Sequence, residues 1–252
     1  MNDEHVVARL ADGVLRLTLD RPKRKNALTA DMYDALRMHL SEAIENPEVR
    51  AVLICGGPDY FCAGTDIDGL AAVRELPIAE RPGYRLMQVL TTFPKPVVAA
   101  VSGDAIGIGT TLLLHCDLVY ARDDARLCTP FVDLGLVPEF GSSLLLPGMA
   151  GHARAAVVLM LGEAISAQHA CAIGIVSKVL AAEDVLPTAE AAARSLASKP
   201  AAALQRTKRL MKHPMQDTLL QTMEREMVAF NEQLHTPETR EILSRVLNRK
   251  PN

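Results

Sequence analysis

The sequence is poor in aromatic residues and has no dominant charge. It contains no tryptophan, and aromatic side chains make up 4% of its 252 residues. Its 27 Lys and Arg against 30 Asp and Glu leave a formal net charge of −3. Nucleic-acid-binding chains typically show a basic patch interleaved with aromatic residues, so a nucleic-acid partner is not expected. The small net charge gives no general attraction to an anionic membrane either.

Segments for export, membrane insertion or metal binding are also missing. No uninterrupted apolar run reaches the roughly 18 residues that a membrane-spanning helix requires. The N-terminal MNDEHVV lacks the basic start and the apolar core of a signal peptide. The five cysteines are scattered and show no CxxC spacing, which indicates reduced thiols and predicts no metal site. We therefore expect a cytoplasmic protein without a membrane partner.

The first half alternates β-rich and helical segments. Apolar strands flank Asp12-Gly13, a dipeptide suited to the positive φ values of a tight hairpin turn. Thr29 is placed to cap a helix over ADMYDALRMHLSEAIEN. The runs VRAVLICGG, KPVVAAVSG and CDLVYA are typical of buried strands. This alternation predicts the α/β fold class with a largely parallel sheet.

From about residue 150 the composition changes to Ala-rich segments with helical periodicity, including HARAAVVLMLG and PMQDTLLQTMEREMVAFNEQL. No Gly/Ser-rich linker separates them from the first half. The chain length suits one large domain, or one domain with an appendage. We predict an α/β core followed by a C-terminal helical region.

Two glycine-bearing segments and one glutamate carry the chemical signal. FCAGTDI (residues 61–67) and SGDAIGIGTTLLLHCD (residues 102–117) each follow a predicted strand, where α/β sheets tend to place ligand sites. Gly107 and Gly109 open a predicted helix whose first N–H groups are free to meet a developing negative charge. Glu139 is the one ionisable residue in LGLVPEFGSSLLLP. Two backbone donors and a base are the parts that proton abstraction next to a carbonyl requires.

The order of these motifs resembles a known family. RPKRKNAL, VLICGGPDYFCAGTDI, KPVVAAVSGDAIGIGTTLLLHCDLVYA and TPFVDLGLVPEFGSS follow one another as in the crotonase (enoyl-CoA hydratase/isomerase) superfamily. The resemblance implies a ββα spiral core over residues 1–195 and a helical trimerisation or lid region over residues 196–252. It also implies a homotrimer or hexamer (a dimer of trimers), an acyl-CoA thioester as substrate, and no cofactor beyond the coenzyme A of that substrate.

Site residues are carried over from the resemblance position by position. The two oxyanion-hole amides fall on Thr65 and on Ile108, which lies between Gly107 and Gly109. Ala63, Gly64, Asp66 and Ile67 fall in the segment that lines the adenine pocket. Arg24, Lys25 and Ala27 match the loop along coenzyme A, although a solvated turn explains the two basic residues equally well. Lys208, on a basic helix over residues 205–214, is a candidate for the coenzyme A phosphates, with a solvated helix face as the alternative.

Departures from the family pattern favour one branch. Hydratases of the superfamily use two glutamates, and this sequence has Thr111 and Phe131 at those positions. Neither side chain can act as a general base. Glu139 instead resembles the single catalytic glutamate of the Δ3,Δ2-enoyl-CoA isomerase branch, and Phe131 is expected to help keep the pocket dry. The predicted function is isomerisation of 3-enoyl-CoA to trans-2-enoyl-CoA.

Several alternatives stay open on the sequence. A hydratase, or another acyl-CoA lyase or hydrolase of the superfamily, could use Glu139 differently. From a different class, the chain could be a non-catalytic acyl-CoA sensor or an RNA-binding relative. Asp133 is a conceivable second carboxylate, with a helix cap or a surface pair as its more ordinary role. His115 and His152 are predicted to be structural.

Overall fold

The structure is a computed structural model that describes residues 5–248, apart from the side chains of residues 71 and 72. The strands are β1 (Val6–Ala11), β2 (Val14–Leu19), β3 (Ala51–Cys55), β4 (Tyr60–Cys62), β5 (Val97–Val101), β6 (Asp104–Ile106), β7 (Leu118–Arg122), β8 (Arg126–Cys128), β9 (Ile165–Ser166) and β10 (Lys178–Leu180). The helices are α1 (Ala30–Glu45), α2 (Ile67–Val73), α3 (Pro82–Thr92), α4 (Ile108–Thr111), α5 (Ser142–Ala150), α6 (His152–Leu159), α7 (Ala167–Ala172), α8 (Ala182–Ala197), α9 (Ala201–Lys212), α10 (Gln216–Leu234) and α11 (Pro237–Asn248).

The chain begins with the predicted hairpin. β1 and β2 pair antiparallel and close at Ala11 opposite Val14. The turn residues Asp12 and Gly13 have φ values of 51° and 75°, the left-handed values that a two-residue hairpin turn requires. Thr29 caps α1 as predicted, because its hydroxyl accepts a hydrogen bond of 3.2 Å from the Met32 N–H. The sequence patterns therefore predict the β1–β2 hairpin and the start of α1 correctly.

In each pair of consecutive strands from β3 to β8, the first strand joins one sheet and the second joins another, so the chain winds as a spiral. β3, β5 and β7 lie side by side and parallel in a six-stranded sheet of order β1-β2-β3-β5-β7-β10. The strands that follow each of them, β4, β6 and β8, form a second sheet of order β4-β6-β8-β9. Each spiral turn thus contributes one strand to each sheet, and most turns add a helix or a 3₁₀ turn. This confirms the predicted α/β class and its ββα spiral.

The larger sheet is covered on both faces. Alternate residues of β3 and β5 pack on one side against α1 and α3 and on the other side against α8. α8 offers small side chains at helical spacing, including Ala189 and Ala193. Strands that are buried on both faces read as continuous apolar runs, which is why VRAVLICGG and KPVVAAVSG lack alternation.

The C-terminal helices separate into two groups. α8 still packs on the larger sheet, whereas α10 contacts α5 and α11 contacts α2. The change from sheet packing to helix packing therefore falls after Ala197. The division into a core over residues 1–195 and a region over residues 196–252 stays a prediction. Among the described residues, no helix is both long and apolar enough to cross a bilayer.

Candidate active site

Glu139 lies in the loop before α5, and its carboxylate is removed from solvent. The residue is 6% exposed. The two residues that follow it, Phe140 and Gly141, have φ values of 60° and 72°, so the backbone turns sharply into the helix. Thr111 donates a hydrogen bond of 2.7 Å from Oγ1 to Oε1 of Glu139. Burial raises the pKa of Glu139 to about 8, although the Thr111 hydrogen bond works in the opposite direction.

This carboxylate sits where two cavities meet. The amide cavity holds about 800 Å³ of space, and the distal cavity holds about 610 Å³. The residues that line both are Thr65, Leu70, Glu139 and Phe230. The amide cavity is otherwise lined by Ala63, Gly64, Ile67, Ile106, Gly107, Ile108, Pro130, Phe131, Leu134 and Leu136. The distal cavity is otherwise lined by Leu28, Ala30, Tyr33, Asp66, Gly69, Val73, Arg81, Pro82, Gly83, Tyr84, Met87, Met227 and Leu234.

Two backbone amides of the amide cavity lack acceptors. Within residues 5–248, neither the Thr65 N–H nor the Ile108 N–H donates a hydrogen bond. Thr65 lies just beyond β4, and Ile108 is the first residue of α4, just beyond β6. β4 and β6 are paired neighbours in the second sheet. The two free donors therefore come from adjacent turns of the spiral and line the cavity that holds Glu139.

Glycines allow these two turns to approach closely. Gly64 has a φ of +91°, and a Cβ on it would lie 2.9 Å from the Ile106 carbonyl oxygen. Gly107 has a φ of +56° and faces the Cα of Gly64. A Cβ on Gly109 would lie 2.5 Å from the Cys62 carbonyl oxygen. Gly109 thus acts by close packing behind the cavity, while Gly64 and Gly107 shape its wall.

Two ionisable neighbours of Glu139 are Tyr33 and Cys62. The Tyr33 hydroxyl and Thr65 Oγ1 are hydrogen-bonded at 2.6 Å. Burial, with a contribution from Glu139, raises the pKa of Tyr33 well above its usual value. Burial raises the pKa of Cys62 to about 12. These neighbours remain neutral at physiological pH, so an ionised Glu139 is a strong base in an apolar setting.

A second buried carboxylate, which sequence reasoning missed, holds the loop of Glu139. Glu226 on α10 is 7% exposed. Its carboxylate accepts hydrogen bonds from the Gly141 N–H (2.6 Å), the Ser143 N–H (2.9 Å) and the Ser143 hydroxyl (2.5 Å). It therefore caps the start of α5, and its charge also contributes to the raised pKa of Glu139. Its position three residues after the buried Met223, one helical turn along α10, was the available signal.

The predicted coenzyme A loop lies at the surface beside α2. Arg24 is exposed and donates hydrogen bonds to Asp66 (3.2 Å) and Asp68 (2.5 Å). Asp66 is buried, accepts a 2.5 Å hydrogen bond from Arg21, and caps α2. Burial opposes ionisation of Asp66, yet these arginines hold its pKa below the usual value. Lys25 is exposed, with its ammonium 4.9 Å above the Tyr60 ring.

Most other predicted positions lie together at the amide cavity. Ala63, Ile67 and Phe131 line it. Ala27 is half-buried in the surface loop, and its carbonyl accepts a hydrogen bond of 3.0 Å from Arg21. The helix predicted after Gly107 is shorter than expected: β6 precedes it, and α4 has four residues before a 3₁₀ turn over Leu112–His115.

Lys208 is not brought to either cavity. Lys208 is 7% exposed, and its ammonium donates hydrogen bonds of 2.7 Å to the Lys95 carbonyl and to Asp117 Oδ2. Burial lowers the pKa of Lys208 to about 8. Within this chain the side chain therefore serves an internal contact, and the structure does not place it with the predicted substrate residues.

The remaining candidates take structural positions. Asp133 is exposed in the 3₁₀ turn Val132–Leu134 and lies against Gly162. His115 is buried and stacked on Phe140, and its Nε2 lies 2.7 Å from the Phe140 carbonyl oxygen. Burial lowers the pKa of His115 to about 3, so it is neutral. His152 is exposed at the start of α6. The described residues contain no cluster of His, Cys, Asp and Glu that could hold a metal ion.

Comparison with known proteins agrees with this geometry. A model of the enoyl-CoA hydratase/isomerase family matches residues 9–252. The structure of Pseudomonas aeruginosa OdaA superposes with a TM-score of 0.95 at 45% sequence identity, over 98% of this chain and 100% of that chain.

Curated relatives include isomerases and hydratases. The 1,2-epoxyphenylacetyl-CoA isomerase of Escherichia coli K12 is 36% identical over 203 residues, which are 78% of each chain. Human enoyl-CoA delta isomerase 2 is 34% identical over 182 residues, which are 70% of this chain and 46% of the human protein. Other relatives are named as hydratases. The match along almost the whole chain and the shared fold show that this protein belongs to the enoyl-CoA hydratase/isomerase family, within the crotonase superfamily.

Proposed function

We propose that the protein is an enoyl-CoA isomerase, which moves the double bond of a 3-enoyl-CoA to the trans-2 position. The observation that carries this proposal is the combination of a single buried carboxylate, Glu139, and the two free amides of Thr65 and Ile108 in one apolar cavity. One base suffices for this reaction, because a proton leaves C2 and a proton is returned to C4 of the same substrate.

The amides act on the thioester oxygen. When Glu139 removes the C2 proton, the electron pair moves through the thioester carbonyl and forms a dienolate. The N–H groups of Thr65 and Ile108 donate hydrogen bonds to the resulting oxyanion. Removing one donor of this kind typically raises the barrier by about 3 kcal/mol. Protonated Glu139 then delivers its proton to C4, which restores the carboxylate and leaves the double bond between C2 and C3.

The protonation behaviour of Glu139 fits both steps. A carboxyl group with a pKa of about 8 is a stronger base than an exposed glutamate, so it removes a C–H proton more readily. The same burial keeps its protonated form stable between the two transfers. The apolar walls around it, including Leu136 and Phe131, limit water access to the dienolate.

The two cavities divide the substrate between them. The thioester belongs in the amide cavity, where the donors lie, and the acyl chain extends past Glu139 into the distal cavity. Exposed Arg24 and Lys25 beside α2 are the proposed contacts for the coenzyme A phosphates. The reaction requires no cofactor beyond the coenzyme A of the substrate. Assembly into a trimer or hexamer remains a prediction.

The names of the relatives support isomerisation without excluding hydration. An epoxyphenylacetyl-CoA isomerase and two enoyl-CoA delta isomerases are among the matches, and so are hydratases. Against hydration stands the chemistry of Thr111 and Phe131, because neither can activate a water molecule. Thr111 is instead a hydrogen-bond donor to Glu139.

The test is to incubate the purified protein with trans-3-enoyl-CoA and, separately, with trans-2-enoyl-CoA. We expect conversion of the first to trans-2-enoyl-CoA and little hydration of the second. The Glu139→Gln variant should lose isomerisation and still bind acyl-CoA in calorimetry, because the amides and both cavities remain. Efficient hydration of trans-2-enoyl-CoA with no double-bond shift would contradict the proposal, and so would full isomerase turnover by Glu139→Gln.

A further inference from the structure

The distal cavity contains a buried arginine that the proposed reaction does not use. Arg81, the residue before α3, is 5% exposed and lines the distal cavity. It does not line the amide cavity, so it belongs to the part of the site that lies beyond the thioester. Most of the other distal-cavity residues are apolar, as expected for a wall that contacts an acyl chain.

The guanidinium of Arg81 is held in place but keeps one end free. Nε donates a 3.1 Å hydrogen bond to the Leu76 carbonyl, and Nη2 donates to the Arg74 carbonyl (2.9 Å) and to Asn231 on α10. Nη1 donates to no group among residues 5–248. Three contacts therefore fix the orientation of the side chain, while two N–H donors of Nη1 stay available.

The positive charge of Arg81 has no carboxylate partner. Among the described residues, no Asp or Glu oxygen lies within ion-pair distance of it. Burial lowers the pKa of Arg81, and the opposing influence comes from Glu75. Glu75 is exposed and paired with Arg74 at 2.9 Å. A buried cation without a partner is costly in free energy, so chains rarely keep one unless a ligand meets it.

The two carboxylates that face the same cavity do not satisfy Arg81. Asp66 is already paired with Arg21 and Arg24. Glu139 is hydrogen-bonded to Thr111, and its pKa of about 8 leaves it largely protonated at neutral pH. A negatively charged group that entered the distal cavity would therefore meet a net attraction at Arg81.

We propose that Arg81 binds a carboxylate at the far end of the acyl chain, so that the preferred substrates are acyl-CoA thioesters whose chain ends in a carboxylate. This inference rests on the proposed function, because it assumes that the acyl chain runs from the amide cavity into the distal cavity. A guanidinium suits this task because it stays charged and offers directed N–H donors that match carboxylate oxygens. A chain ending in a methyl group leaves Arg81 without its partner.

The first test compares substrates and needs no variant. Trans-3-enoyl-CoA esters with a terminal carboxylate are compared with methyl-terminated esters across a series of matched chain lengths. At the length that reaches Arg81, we expect kcat/KM to favour the carboxylate ester roughly tenfold to a hundredfold, the range for one hydrogen bond between charged groups. Equal or higher kcat/KM for the methyl ester at every length overturns the inference.

Variants separate the charge of Arg81 from its role in holding the fold. Arg81→Met removes the cation and should abolish the preference for the carboxylate ester. Asn231→Ala removes one structural contact of the same guanidinium, and Asn231 lines neither cavity. It should lower the free energy of unfolding and keep the preference. If Arg81→Met keeps the preference for the carboxylate ester, or Asn231→Ala abolishes it, the inference is wrong and Arg81 serves only to hold the fold together.

Binding distinguishes this inference from the proposed reaction. Calorimetry with saturated acyl-CoA esters, which cannot isomerise, reports the effect of the terminal carboxylate on Kd without any chemistry. Tighter binding of the carboxylate ester by the wild type, lost in Arg81→Met, supports the inference even if no 3-enoyl-CoA is converted. If the wild type converts neither kind of 3-enoyl-CoA ester, by contrast, the isomerase proposal is refuted and the inference about Arg81 is still tested by binding.

Discussion

Oγ1 of Thr111 lies 2.7 Å from Oε1 of Glu139, and both residues are buried. Thr111 occupies the position at which the family pattern of hydratases has its first glutamate. In this chain a hydroxyl stands at that position and donates a hydrogen bond to Glu139, a carboxylate at a different position of the family pattern. Since hydrogen bonding to the charged form favours ionisation, Thr111 favours the ionised form of Glu139, the proposed base.

Replacing Thr111 with valine should make the base harder to ionise. The substitution keeps the shape of the side chain and removes the hydroxyl, so the pKa of Glu139 rises further above about 8. We expect the rise of isomerase kcat/KM with pH to move to higher pH, and activity at neutral pH to fall about tenfold or more. Thr111→Ser, which keeps the hydroxyl, is the control. An unchanged pH profile in Thr111→Val would show that the hydrogen bond has no role in ionisation.

Neutralising Glu226 should shift the same profile in the opposite direction. The charge of Glu226 adds to the effect of burial on the pKa of Glu139, so Glu226→Gln is expected to lower that pKa and move the activity profile to lower pH. Glu224→Gln, an exposed change on the same helix, serves as the control and should leave the profile in place. A shift to higher pH in Glu226→Gln would mean that loss of the α5 cap outweighs the loss of charge.

Glu139 should make the protein less stable at alkaline pH. Its pKa is 4.5 when unperturbed and about 8 in the fold, so the folded state retains a proton that the unfolded chain has lost. The free energy of unfolding therefore falls as the pH rises above 4.5, the pKa of Glu139 in the unfolded chain. It stops falling above about 8, the pKa of Glu139 in the folded protein. Urea unfolding should give Glu139→Gln and wild type similar free energies of unfolding near the lower pKa. Above the upper pKa the variant should be more stable by a few kcal/mol, and a constant difference across this range would argue against the raised pKa.

Adding a methyl group at Gly64 should disrupt the proposed oxyanion hole. The residue has a φ of +91°, and a Cβ there would lie 2.9 Å from the Ile106 carbonyl oxygen. We expect Gly64→Ala to separate the Thr65 and Ile108 amides and to lower isomerase kcat about a hundredfold to a thousandfold. Gly148→Ala is the matched control, because a Cβ at that position in α5 meets no atom within 4 Å. It should keep full activity and gain roughly 0.5–1 kcal/mol of stability.

The backbone of the site could be predicted from the sequence because its signals are local. Gly64 and Gly107 each follow a short strand, and the structure shows that these glycines bring two free amides to one cavity. Glu139 stands out as a charge in an apolar segment, and it is buried as expected. The α/β class was likewise visible in the order of β-rich and helical segments, whereas the ββα spiral was implied by the resemblance to the crotonase superfamily.

The parts that escaped prediction depend on distant contacts. The second sheet consists of strands of two or three residues, which are too short to show a period of two. Glu226 and Arg81 reach the site from α10 and from the start of α3, and no spacing in the sequence pairs them with Glu139. Lys208 was predicted to contact the coenzyme A phosphates, with a solvated helix face as the alternative, but within this chain it is buried against Asp117.

The separation of the Thr65 and Ile108 donors has an evolutionary consequence. They follow β4 and β6, which are neighbouring strands of the second sheet, and the step between neighbouring strands is set by backbone hydrogen bonds at about 4.8 Å. No side chain is needed to maintain that step. Descendants of this chain can therefore exchange the residues at positions 111, 131 and 139 for other acids, bases or apolar groups while the anion-binding pair persists. New reactions can arise on this scaffold through single substitutions while the backbone around the two amides stays unchanged.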